Sequence, residues 1–201
     1  GRKSLLVADV HLGKAGVFQG YGLAVPEGGT NHDLERLYRL AINYNAEQLI
    51  VLGDLTHGGL YSDLTTQVSA WRERLPRLEF TLVAGNHDRH APAPPADWRL
   101  NRVTELTIDG LVLSHDKPPP AGQPAVVGHV HPVVQLQSSR YDRLRAPAYV
   151  LADNCLTLPS FGTFTGGFVV APTRGQRLFP ILENSVRELR QPPTKERRRR
   201  A

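Results

Sequence analysis

The chain is expected to fold as an α/β protein with two sheets and helices packed outside them. Two observations lead there. Through residue 88, short apolar runs alternate with stretches of helical periodicity, so the order reads β–α–β–α–β and implies parallel strands joined by helical crossovers. After the proline-rich stretch APAPPADW (91–98), the helical periodicity stops and short strands separated by tight-turn signals take over. A second, mostly antiparallel sheet is therefore expected behind the first.

In chain order, SLLVADV (4–10) is a buried strand, because an apolar run this short bounded by polar residues suits a strand covered on both faces. The glycine-rich HLGKAGVFQGYGLAVPEGGT (11–30) reads as a long loop. A helix follows, with Thr30 and Asp33 as a capping pair ahead of Leu34, Leu37, Ala41 and Tyr44. QLIVLGD (48–54) is a second strand. Leu64, Val68, Trp71 and Leu75 mark a second amphipathic helix, and FTLVAGNHD (80–88) a third strand with its exit loop. Beyond residue 98, VTELTI and LVLSH flank Asp109-Gly110 as a hairpin. AVVGHVH and PVVQLQ follow, AYVLA and CLTLP flank Asp153-Asn154, and GGFVVAP and QRLFPIL complete the set.

With 201 residues, 40% hydrophobic, the chain is long enough for one self-sufficient core. The single cysteine, Cys155, excludes an intrachain disulfide framework and suits a reducing compartment such as the cytoplasm; it is expected to pack as a small apolar residue. No apolar run is long enough to span a membrane, so no membrane partner is expected. The chain has no methionine, even at position 1, which leaves room for a native start upstream. The net charge of +5 is confined to one end: residues 186–201 carry seven Lys/Arg and two Glu, while 1–185 carry 17 of each sign. One domain over 1–185 is therefore expected, followed by a basic, disordered tail over 186–201 that is either merely solvated or a phosphate-seeking tether.

Chemistry gathers where strands are expected to end. Asp9 and His11 end the first, Asp54 the second, and Asn86, His87 and Asp88 the third; His115 ends LVLSH, and His129 and His131 end AVVGHVH. Ligand sites of open α/β sheets lie beyond the carboxyl ends of the strands. Any one of these residues has an ordinary explanation as a turn or core group, but together they make a constellation. Carboxylate, imidazole and amide oxygen without thiolate suit manganese, iron or zinc, and there are too many ligands for one tetrahedral ion. Two divalent ions fit the set better and point to phosphoryl displacement.

The motifs D-x-H (Asp9, His11), GD (Asp54), GNHD (85–88), His115 and GHVH (128–131) occur in the order of the calcineurin-like metallophosphoesterase superfamily, which this chain resembles. VADVHLGKA, AVPEGGTNHDLERL, GDLTH, LSHDKP, GHVHP, RLRAPAYV and LPSFGTFTGG are similar to the bacterial ligase-associated DNA damage response endonucleases. The resemblance implies a four-layer α-β-β-α sandwich with two mixed sheets. It implies that Asp9, His11 and His131 hold one ion, Asn86, His115 and His129 the other, and that Asp54 bridges them. It implies a hydroxide between two ions, manganese foremost, attacking phosphorus, with His87 as the general acid. Asp88 is expected to orient His87, His57 to contact substrate or leaving group, and Lys14 and Arg89 to meet further phosphates. His32 and His90 receive no role.

The implied activity is a Mn-dependent DNA endonuclease or phosphodiesterase in DNA repair. Its substrate would be single-stranded or structured DNA, and it would be functionally linked to a DNA ligase. The alternative is a hydrolase of small phosphodiesters, nucleotides or phosphomonoesters using the same centre. A binding scaffold would be expected to have lost ligands, and here every ligand position is filled.

Overall fold

The computed structural model describes residues 1–26, 28–60, 62–117, 119–137, 143–183 and 185–189. Three of its strands, β1 (Ser4–Ala8), β2 (Gln48–Leu52) and β3 (Glu79–Val83), fall in the three apolar runs of the first half and pair in parallel in that order. A fourth parallel strand, β4 (Leu100–Val103), extends the sheet beside β3. The period-2 geometry of a strand explains the continuous apolar runs, since both faces are covered. Leu49, Val51, Phe80 and Leu82 pack against Leu34, Leu37, Leu64, Val68 and Trp71 of the helices α2 (Gly29–Asn43) and α3 (Ser62–Glu73). The alternate residues Ala8, Ile50, Leu52 and Val83 face the second sheet through Leu113, Val126 and Leu158.

The second sheet comprises β5 (Leu106–Ile108), β6 (Leu111–Leu113), β7 (Ala125–Val127), β8 (Pro132–Gln137), β9 (Arg143–Ala152), β10 (Cys155–Thr157) and β11 (Phe168–Val169), in the order β11-β8-β9-β10-β7-β6-β5. β12 (Gln176–Leu182) also pairs with β9, and β13 (Ser185–Val186) with β12. The hairpins at Asp109-Gly110 and Asp153-Asn154 form, with Asp109, Gly110 and Asp153 at positive φ as tight primed turns require. The sheet is mixed: β6–β7, β7–β10 and β8–β11 are parallel. Its far face gathers Val134, Ala146, Ala148, Val150 and Leu178, with Leu136, Leu182 and Leu189 against them. Among the described residues every helix precedes β4, and Leu189 of the returning chain packs on that face.

Several local expectations change. Residues 11–30 are not all loop, because KAGVFQG forms helix α1 (Lys14–Gly20), with glycines in the left-handed region at Gly13 and Gly22 on either side. Glycine density there marks helix ends. Thr30 and Asp33 do not cap α2, which starts after Gly28 without a side-chain cap. Thr30 Oγ1 instead accepts the Gly13 N–H (3.1 Å), and the buried Asp33 accepts from Thr163 N (3.0 Å), Thr163 Oγ1 (2.6 Å) and Arg36 (2.9 Å). Long-range partners have won over the local cap. VTELTI is not one strand either: Val103 ends β4 in the first sheet and Leu106 opens β5 in the second, so the chain changes sheets between them. At the C-terminal end, residues 186–189 of the expected tail return against β12, where Leu189 N donates to Leu178 O (2.8 Å) and Arg177 pairs with Glu188 (2.9 Å). Residues 190–201 lie outside the described residues. Among those described, no helix is long and apolar enough to cross a membrane.

Candidate metal centre

The carboxyl ends of β1, β2 and β3 meet the carboxyl ends of the parallel pair β6 and β7, and the histidines and carboxylates lie along this seam. Backbone bonds tie the seam together. Asp9 N donates to Gly53 O (3.1 Å), His11 N to Asp54 O (2.9 Å) and Gly128 N to His115 O (3.1 Å). Phe161 N and Gly162 N donate to Ala8 O and Asp9 O (2.8 and 3.2 Å), so the segment after β10 clamps the exit of β1.

Each central carboxylate uses one oxygen to hold backbone and leaves the other facing histidines. Asp9 Oδ2 accepts the His129 N–H (2.9 Å), while Asp9 Oδ1 lies 2.9 Å from His131 Nε2 and 3.8 Å from His115 Nδ1. Asp54 Oδ1 accepts the His87 N–H (3.1 Å). Its Oδ2 lies 3.8 Å from His11 Nε2, 3.6 Å from His115 Nε2 and 3.9 Å from His87 Nε2. Asp54 thus stands between two sets. One is Asp9, His11 and His131; in the other, His115 Nε2 lies 3.1 Å from Asn86 Oδ1 and 3.2 Å from His129 Nδ1. Asp9, Asp54 and His115 also bring ligand atoms within 4.8 Å of one another.

The donor set fits divalent ions on two counts. Asp9 Oδ1, His11 Nε2 and His131 Nε2 are all buried, and all lack a hydrogen-bond partner. Buried polar atoms are satisfied as a rule, so three such ligand atoms gathered at one point suit a divalent cation. In addition, His115 Nδ1 lies 2.9 Å from Leu52 O, a pure acceptor, so Nδ1 carries the proton and the Nε2 lone pair faces the site. Burial first, then the positive charges of Lys14 and the neighbouring histidines, push the His11 pKa down to about 2, which keeps that ring neutral.

The backbone is strained here. Asp9, His11, Asp54, His129 and His131 all adopt positive φ, between 48 and 70°, which L-residues other than glycine avoid. Glycines provide the clearance. A Cβ on Gly53, itself at φ 75°, would fall 2.0 Å from His115 Nδ1. On Gly128 it would fall 2.8 Å from Leu52 O and 2.9 Å from Asp9 Oδ2. The glycine of GHVHP therefore leaves space for Asp9.

The flanking residues are placed as follows. His87 is exposed at the start of α4 (Asn86–Arg89), its ring 5.5 Å from His11 and 5.2 Å from His57. His57 Nδ1 sits 3.3 Å from His11 Nδ1, so it braces His11 in addition to facing His87. Asp88 does not serve His87. Its buried carboxylate accepts backbone N–H from Asp54 (2.6 Å), Leu55 (3.1 Å) and Gly85 (2.9 Å), holding the turn that carries Asp54. Burial nonetheless pushes its pKa up against those bonds. Lys14 is near enough for Asp54 and Asp9 to stabilise its charge, although burial lowers its pKa. Arg89 is held by Asp116 (2.5 Å). Cys155 is half-buried and lines an open groove, so it is not a core residue. Sequence reasoning took Asp33 only for a cap and missed Arg36 and Thr163, which with it anchor the clamp over β1: Arg36 donates to Phe161 O (2.9 Å) and stacks on the Phe161 ring. Their signal lay in the TNHDLER and LPSFGT stretches, which carry no metal-ligand pattern.

Residues 2–147 match the sequence profile of the family described as calcineurin-like phosphoesterase. Among solved structures, the Pseudomonas putida nuclease MPE is similar at 38% identity over 89% of this chain and 84% of that one, with a TM-score of 0.77. The phosphoesterase Yfce of E. coli aligns at 17% identity over 92% of this chain and 97% of its own, with a TM-score of 0.46. Comparison with curated proteins gives no match.

Proposed function

The chain belongs to the calcineurin-like phosphoesterase family and is a phosphoester hydrolase, and from that premise we propose that it is a nuclease cutting phosphodiester bonds in DNA with two divalent ions. The observation that carries this reading is the meeting of orphaned ligand atoms, Asp9 Oδ1, His11 Nε2 and His131 Nε2, beside the Asn86–His115–His129 set, with Asp54 Oδ2 between them. Asp9, His11 and His131 would hold one ion, Asn86, His115 and His129 the other, and Asp54 would bridge. The ligand types favour manganese, with iron or zinc as alternatives. Bound there, the ions supply Lewis acidity, activating water near neutral pH and screening the phosphate charge.

The chain's own groups do the rest. His115 keeps its Nδ1 proton on Leu52 O, which fixes the ring's direction. His57 steadies His11 through the Nδ1–Nδ1 contact. His87, exposed and aimed at Asp54 Oδ2, delivers a proton to the leaving oxygen, a role worth about 10²–10⁴-fold. Lys14 adds positive charge beside the two carboxylates for an incoming phosphate. The likeness to a nuclease at 38% identity supports a nucleic-acid substrate. Action on single-stranded or structured DNA, a place in DNA repair beside a ligase, and a cytoplasmic setting complete the proposal. The balanced charge of residues 1–185 favours the second reading, a hydrolase of small phosphodiesters.

Cleavage of single-stranded DNA and of bis-p-nitrophenyl phosphate in Mn²⁺, with Asp54→Ala and His87→Ala alongside, tests the proposal. Both substrates should be cut, and Asp54→Ala should abolish both activities. His87→Ala should slow DNA cleavage by about 10²–10⁴-fold and spare the small diester more, because p-nitrophenolate leaves without a proton. Cleavage of the small diester alone would favour the second reading. No hydrolysis of either by metal-loaded protein would overturn both.

A further inference from the structure

An open groove of about 860 Å³ starts at His115 and His129 and runs to Cys155, with Lys117, Pro119, Pro120, Val130 and Asn154 among its walls. Its size is that of a small-molecule site. None of His11, His57 and His87 lines it. Those three rings cluster on the other side of Asp54, within 5.2–5.5 Å of one another. The centre therefore has two unlike flanks. One offers a proton donor, and the other offers apolar walls with an amide, an ammonium and two carboxylates, Asp153 and the Arg89-paired Asp116. Val130 stands out on the second flank as an aliphatic side chain 44% exposed between two candidate ligands.

We propose that this groove holds the nucleoside that keeps the cleaved phosphate, as an unstacked nucleotide of a single strand. This rests on the nuclease reading. Hydrolysis joins a water oxygen to phosphorus and breaks the bond to the leaving oxygen, which takes up a proton. The proton donor His87 marks the side of the apical leaving oxygen; the ester oxygen that stays on phosphorus is equatorial, and the groove beside His115 and His129 offers walls for the nucleoside it carries. The prolines and Val130 suit the faces of a sugar and base, and Asn154 suits a base edge. Lys117 suits the next phosphate along the strand. Paired bases would have to separate to enter, so single strands and frayed ends are the substrates this groove selects.

The chain's one cysteine makes the groove addressable by N-ethylmaleimide. Burial raises the thiol pKa, so the reaction is run mildly alkaline. Thymidine 5′-monophosphate should slow alkylation of Cys155 saturably in the Mn²⁺-loaded protein. The p-nitrophenyl ester of thymidine 5′- or 3′-phosphate should show a KM about tenfold below that of bis-p-nitrophenyl phosphate, as burial of one base predicts. Alkylation should erase that preference, and in Cys155→Ala the reagent should change nothing. Unprotected Cys155, or equal KM values with the small diester still hydrolysed, would overturn the groove assignment alone. Failure to hydrolyse any ester would overturn the nuclease reading, and protection of Cys155 would still decide the groove.

Discussion

Asp9 and Asp54 each give one oxygen to a backbone N–H and the other to the seam, so the same side chain shapes its turn and serves the site. That double duty explains why positive φ is tolerated there: Asp9 is held from both sheets, by Gly53 and by His129, and Asp54 by Asp88, His11 and His87. It also makes the glycines of GD and GHVH indispensable for clearance. Gly53→Ala combines a left-handed backbone with a Cβ inside the His115 ring. It should lower stability by more than about 2 kcal/mol and weaken metal uptake at least as much as loss of a ligand, read by denaturant unfolding and metal titration. Asp88→Asn replaces an acceptor of three N–H groups with a half-acceptor. A loss of about 1–3 kcal/mol is expected, again by denaturant unfolding, with cleavage falling because the Asp54 turn loosens.

Helices α2 and α3 are joined over the first sheet by both apolar packing and charge. Glu35 accepts from Arg74 (2.8 Å) and from Arg39 (3.3 Å), and Arg74 lies over the Tyr38 ring. Arg74 holds the Glu35 carboxyl below its ordinary range. A depressed carboxyl pKa means the link is fully formed above the unfolded value, near 4.5, and is lost as pH falls through the folded one. A carbon-detected NMR titration should place the Glu35 midpoint below 4.5, and Arg74→Ala should raise it. Arg72, at the end of α3, is buried and donates to the carbonyls of Trp98, Leu75 and Leu78. Burial brings its pKa down to about 10, so it stays charged at neutral pH. Arg72→Met should cost about 3 kcal/mol or more in thermal or denaturant unfolding, because three buried carbonyls lose a charged donor and, among the described residues, only Leu75 O keeps a second one, the Leu78 N–H. At this scale the sequence was uneven. β1 to β3 were legible because both their faces are apolar, and the hairpins because Asp-Gly and Asp-Asn permit positive φ. The Thr30–Asp33 cap and the single strand VTELTI were misread because the deciding partners, Gly13, Thr163 and the edge of β3, are distant in the chain.

As a whole, the molecule is two sheets that share one functional seam, and the bonds pinning the sheets are also those that aim the site: His115 to Leu52, His129 to Asp9, Phe161 to Ala8. The candidate cluster was legible before the fold because Asp, Asn and His recur at five strand ends, which the structure brings together. The clamp from Phe161 to Thr163 was not, because its backbone contacts leave no residue-type signature. Because the site unites both sheets, ion binding should stabilise the entire fold, by about 2.7 kcal/mol at a hundred times the dissociation constant. The most direct measurement is a count of Mn²⁺ bound per chain by titration calorimetry, repeated with Asp54→Ala. Two ions per chain in the native protein, with both sites weakened by the single substitution, is the result expected of a bridged pair. A single ion, or two that bind unaltered in Asp54→Ala, would contradict it.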